Sequence, residues 1–141
     1  MANTQGVSGA AKQAALGAIV NSKTMNGALY LASATTGPTN ATYTSTGELA
    51  ATGNYTAGGA SVTNANSAGL TSTTAYWTPS ASISWTALTS SGAFDAVMIY
   101  STTDSNRNIG VFTFGSQSVT AGNFSLTMPT NDSSTGLVRF A

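Results

Sequence analysis

The chain of 141 residues has no cysteine and no histidine, only three prolines, and only four basic and four acidic side chains. Without cysteine there is no disulfide framework, no thiolate metal site and no cysteine nucleophile. Without histidine the commonest general base and the commonest metal ligand are gone, and a Ser-His-Asp arrangement is impossible. The charged fraction is 6%, where a soluble domain has about 25%. Lys12, Lys23, Arg107 and Arg139 are scattered along the chain, so no basic cluster is available to face phosphates and no nucleic-acid partner is expected. A net charge of zero offers little colloidal repulsion and favours association. The surface must be built mainly from Ser, Thr, Asn and Gly, which suits a crowded assembly.

Long hydrophobic runs are missing as well. The apolar run 14–20 is too short to cross a bilayer, and the first six residues lack the basic segment of a signal peptide. The expectation is a soluble protein made in the cytoplasm, with no membrane partner. The length fits one domain able to bury a core without metal or disulfide help.

What is present is dominated by two apolar runs, Phe94-Asp-Ala-Val-Met-Ile-Tyr100 and Ile109-Gly-Val-Phe-Thr-Phe-Gly115, separated by the polar stretch 101–108. Both carry apolar groups at odd and even positions, the pattern of strands covered on both faces. Ser, Thr, Asp and Asn in the insert favour a turn. The pattern predicts two central antiparallel strands with the rest of the chain laid around them.

One helix is expected over residues 8–22, with Ser8 as its N-cap, alanine-rich sequence inside it, Lys23 near its C-terminus, and Asn26-Gly27 as its stop. Leu16, Ile19 and Val20 form a narrow apolar stripe, which fits a helix packed on its own domain or an arm docked on a neighbouring subunit. Residues 1–26 are therefore read as a helical arm and 27–141 as the β domain.

Strands are expected at 27–34, 60–64, 75–78, 80–87, 94–100, 109–115, 123–128 and 137–140. Residues 35–59 form a long Gly/Thr/Asn loop anchored by Tyr43, Leu49 and Tyr55, and such loops are functional or lie at interfaces. In 80–87, Ala81, Ile83, Trp85 and Ala87 alternate with Ser and Thr, as in a strand with one wet face. Short strands punctuated by turns predict an all-β, antiparallel β-sandwich, jelly-roll or immunoglobulin-like, with one short N-terminal helix.

The chemical motifs are weak. Asp104-Ser-Asn106-Arg-Asn108 starts like a calcium loop but has Ile109 where glycine is needed and Gly115 where the bidentate Glu should be; turn chemistry explains it better. Glu48, Asp95, Asp104 and Asp132 show no spacing that would set a pair across a cleft. Asp95 is placed to pair with Arg107 across the hairpin. Tyr76, Trp77, Trp85 and Tyr100 offer either core aromatics or a platform for a sugar. No catalytic residue, metal or cofactor is expected.

Several segments carry a resemblance. Gly47-Glu-Leu-Ala-Ala-Thr-Gly-Asn-Tyr-Thr-Ala-Gly-Gly59, Ala75-Tyr-Trp77, Ala93-Phe-Asp-Ala-Val-Met-Ile-Tyr100, Val111-Phe-Thr-Phe-Gly115 and Asn123-Phe-Ser-Leu-Thr-Met-Pro129 resemble a group of small tailed-bacteriophage virion proteins. That group shows a Gly-Glu, a Gly-Tyr-x-x-Gly-Gly turn, a strand ending in Ile-Tyr, and a Phe-Gly before a penultimate strand. Here Asn54 stands between Gly53 and Tyr55, a small departure. The resemblance implies a non-enzymatic structural protein of the virion, assembled in the host cytoplasm. Its roles would be capsid decoration, with the major capsid protein or other virion proteins as partners, or a fibre, neck or glycan-binding receptor module. A homo-oligomer, dimer or trimer, is expected, with Leu16, Ile19, Val20, Tyr43, Leu49 and Tyr55 as candidate contact residues.

Overall fold

The computed structural model describes residues 2–141. The chain is mostly β with one short helix, and every strand pairing is antiparallel. The elements are α1 (Gly9–Val20), β1 (Met25–Leu31), β2 (Ala60–Val62), β3 (Gly69–Thr71), β4 (Thr74–Trp77), β5 (Ile83–Leu88), β6 (Phe94–Ser101), β7 (Arg107–Gln117), β8 (Gly122–Leu126) and β9 (Val138–Phe140). They form an open four-stranded sheet in the order β2-β1-β6-β7, a three-stranded sheet β3-β4-β9, and a two-stranded ribbon β5-β8.

α1 starts where its cap dictates: the Ser8 hydroxyl accepts the Ala11 N–H at 3.2 Å, satisfying one of the free N-terminal amides. It ends at Asn21, and Ser22 turns the chain away at φ 56°. The expected stop at Asn26-Gly27 instead lies inside β1, because this earlier turn already ends the helix. The boundary drawn at residue 26 thus cuts a strand. Leu16 and Val20 are fully buried in the same core as the strands. Asn64 donates to the Val20 and Lys23 carbonyls at 2.7 and 2.9 Å and accepts the Trp77 indole N–H at 3.0 Å. The helix is therefore packed on its own domain.

The four-stranded sheet is covered on both faces. On one side Leu29, Val97 and Ile99 join Trp77, Ile83, Trp85, Leu88 and Phe94 in the main core. On the other, Ala28, Tyr30, Ala96, Met98 and Tyr100 form a smaller cluster with Tyr43 and Val111 against it. The expectation for β6 holds, since it lies between β1 and β7. β7 does not share that position. It is the edge of its sheet, and its apolar side chains Ile109, Val111, Phe112 and Phe114 are only half-buried.

Two further differences are local. The strand predicted for 80–87 begins only at Ile83, which leaves Ala81 exposed, and its alternation breaks after Trp85. A β-bulge there, with Ala87 at φ 49°, leaves Ala87 exposed and turns Leu88 inward. The stretch 66–74, read as a polar connection, contains β3, which pairs with β4 through a tight turn at Ser72 (φ 54°). Its three residues are too few to show a period.

Candidate functional site: a buried carboxylate held by tyrosines

The long loop 35–59 contains no strand of its own, yet it completes the edge of β1. β2 covers β1 only from Met25 to Gly27. Beyond that point the Leu31 N–H donates to the Gly47 carbonyl and the Leu49 N–H to the Leu29 carbonyl, each at 2.9 Å. Backbone pairing draws residue 48 to Tyr30 and its side chain into the fold.

Glu48 is 9% exposed. Its Oε2 accepts the Tyr43 hydroxyl at 2.5 Å, and its Oε1 accepts the Tyr55 hydroxyl and the Gly58 N–H, both at 2.7 Å. All three partners donate, the pattern a carboxylate acting only as acceptor requires. The Tyr55 hydroxyl in turn accepts the Leu29 N–H at 2.9 Å, an amide that no neighbouring strand reaches. Tyr100 donates to the Gly58 carbonyl at 2.8 Å and Tyr30 to the Thr44 carbonyl at 2.6 Å. Tyr43 stacks on Tyr100 with ring centroids 4.6 Å apart. Among the described residues no cation pairs with Glu48; the ion pair there is Arg107–Asp104 at 2.7 Å. Buried charge without a counter-ion persists only where hydrogen bonds replace the lost water.

The electrostatics follow from this burial. Desolvation comes first and the nearby Glu48 second in raising Tyr30 to about 12. Tyr43 and Tyr55 are pushed higher still, by burial and then by the hydrogen bond to Glu48. Tyr100 is also raised, chiefly by burial. Each hydroxyl is thereby held neutral, as a donor. The cluster works as a clamp: the loop is tied to the sheet by groups whose polar atoms face one another.

Gly58 and Gly59 close the clamp. Both have positive φ, 90° and 81°, and a side chain at Gly59 would strike the Gly27 carbonyl of β1. Only glycine lets the loop backbone approach β1 so closely.

Of the residues expected to contact partners, Leu16, Val20, Leu49 and Tyr55 are 0%, 0%, 2% and 4% exposed. They are core groups of this chain. Ile19 and Tyr43 keep some exposed area. The aromatic platform does not assemble on the surface: Trp77 and Trp85 are 0% and 5% exposed and Tyr100 is 4% exposed. Arg107 pairs with Asp104, three residues before it across the turn, and not with Asp95. Asp132 caps its own turn, accepting the Ser134 and Thr135 N–H groups at 2.8 and 2.7 Å, which holds its carboxyl below the usual range. No group of three or more Asp, Glu, His or Cys that could hold a metal occurs among the described residues, and no described helix is long and apolar enough to cross a membrane.

The sequence shows Glu48 as one of four scattered carboxylates and as part of the Gly-Glu of the resemblance, but not as the hub of the cluster. The signal was present in Gly47-Glu48, Tyr55-x-x-Gly58-Gly59 and Tyr100 near the end of β6, whose convergence could not be read from spacing. The chain matches no protein-family profile, no curated protein and no solved structure.

Proposed function

We propose that the chain is a capsid decoration (cement) protein of a tailed bacteriophage, a β-sandwich that binds the assembled shell and bridges neighbouring capsomers as a homo-oligomer. In this reading the four-stranded sheet forms one layer over the main core, and β3-β4-β9, β5-β8 and α1 together form the other. One observation carries the proposal. Residues through which the sequence resembles small virion proteins, Gly47, Glu48, Tyr55, Gly58, Gly59 and Tyr100, meet in a single clamp that fixes the loop 35–59. In this reading they serve architecture, with three donors held on the Glu48 carboxylate out of about four acceptor sites that such a group offers. Attachment would come from neutral polar contacts and apolar burial, worth about 25 cal/mol per Å² of apolar area, multiplied by the avidity of many copies on one shell.

The test is to purify the particles and count the chain by quantitative mass spectrometry, then add the isolated protein to undecorated shells. Copy numbers that follow the capsomers, with binding retained at moderate salt, are expected, because an interface with few charges is little screened. Absence from purified particles overturns the assignment. Release at moderate salt overturns the neutral-contact mechanism.

A further inference from the structure

β7 is the longest strand of the fold, 11 residues, and one of its two edges is open. The open side is protected only at its start, where Asn108 donates its N–H to the Ala41 carbonyl at 3.0 Å and Thr42 bridges Arg107. From Ile109 to Gln117 there is no charged residue and no proline, the usual devices that keep an edge from pairing. Instead the strand carries four half-buried apolar side chains, Ile109, Val111, Phe112 and Phe114. Beneath it, on the core side, Phe112 and Phe114 form one wall of an apolar cleft of about 180 Å³ that Leu126, Met128 and Leu137 close from the opposite side. A strand added at the β7 edge would roof this cleft.

We propose that the β7 edge pairs with β7 of a second copy, antiparallel about a two-fold axis near Phe112, to make one eight-stranded sheet across two chains. The inference rests on the self-associating part of the reading above and names the surface responsible. Charge favours this occupant. The paired ladder runs from Ile109 to Gly115 of each copy, and Arg107, the only ionic residue of the strand, stays outside it where Thr42 already covers its edge, with the two arginines about 33 Å apart at 3.3 Å per residue. Facing segments are neutral and identical, so no ionic group is left unpaired. Phe112 and Phe114 of each copy come together at the mouth of the cleft, adding aromatic contacts to the backbone ladder.

Thr113 supplies the test. It is exposed, lies opposite Ala96 of β6 on the face away from the main core, and falls next to the dyad. Sedimentation velocity on the full chain compares the wild type with Thr113→Lys, Thr113→Asp and their equal mixture, while thermal melts confirm that each variant folds. The wild type should sediment as a dimer at micromolar concentration. Either variant alone should associate at least about tenfold more weakly, because like charges meet across the axis, and the mixture should recover the dimer. A monomeric wild type, variants as dimeric as the wild type, or a mixture that stays monomeric would each overturn the pairing. Shell binding by the monomeric variants is read separately: if it persists while the pairing fails, capsid attachment stands without the strand pair, and if it is lost from every protein including the wild type, the decoration reading fails on its own.

Discussion

The Tyr55 hydroxyl stands between Glu48 and β1, donating to the carboxylate at 2.7 Å while accepting the Leu29 amide at 2.9 Å. One phenol thus satisfies a buried charge and an open sheet edge at once. The same residues explain why a loop of 25 positions, rich in Gly, Thr and Asn, can lie ordered over a hydrophobic cluster. Tyr43 and Tyr30 supply the apolar bodies and Glu48 gathers the polar tips.

Replacing Glu48 with alanine leaves the Gly58 N–H and the Tyr43 and Tyr55 hydroxyls without their acceptor. Tyr55 is buried while Tyr43 and Gly58 are half-buried, and an unsatisfied buried group costs about 1–3 kcal/mol, so Glu48→Ala should lower the unfolding free energy by about 1–3 kcal/mol. Glu48→Gln keeps an acceptor oxygen and should cost less. Urea titrations give both values, and loss of the clamp should also expose the loop to limited proteolysis. Unchanged midpoints in both variants would show that the cluster holds nothing together.

Raised tyrosine pKa values set the direction of the alkaline response. In the unfolded chain a tyrosine ionises near its ordinary value of 10.0, while in the fold Tyr30 does so only at about 12 and Tyr43, Tyr55 and Tyr100 are shifted the same way. The unfolded state therefore releases protons first as pH rises. Stability from these groups is complete below pH 10 and is lost progressively from about pH 10 to 12 and beyond. Melting temperature and tyrosinate absorbance, followed together from pH 8 to 12, should change in step. Ionisation of all the tyrosines near pH 10 in a chain that stays folded would contradict the burial argument.

Glycine substitutions separate close approach from open space. At Gly59 a methyl group meets the Gly27 carbonyl and lies 2.7 Å from the Ala28 Cα, both backbone atoms of a strand paired on its other side to β6. Gly59→Ala should cost more than about 4 kcal/mol or prevent folding. At Gly115 no atom lies within 4 Å of the added carbon, and Gly115→Ala should stay within about 0.5 kcal/mol of the parent. Thermal denaturation of the pair gives the contrast directly; equal effects would mean that the loop does not sit against β1 as described.

The helix start at Ser8, the two-faced apolar character of β6 and the alternation of Phe124, Leu126 and Met128 were legible because each depends on near neighbours in the chain. A cap needs an amide three residues on, and a strand face needs every second side chain. β3 was not legible because three residues carry no period, and the bulge at Ala87 was hidden because bulges are set by the opposite strand. The helix stripe of Leu16, Ile19 and Val20 fitted a core face first and a contact surface second; burial of Leu16 and Val20 against the strands decided for the core.

Composition alone determined that the chain has no thiol or imidazole chemistry and few ionic groups, and the order of short apolar runs and turns pointed to an antiparallel β fold. Tertiary structure decided which apolar run becomes an inner strand and which an edge, since Ile109–Gly115 and Phe94–Tyr100 look alike in sequence and differ only in having one neighbour or two. It also decided that Glu48, ordinary in its local sequence, is the acceptor for groups 5, 7 and 10 residues further along or behind. Hydrogen bonds and sheet order depend on distances in space, and a sequence fixes those only after the chain has closed on itself.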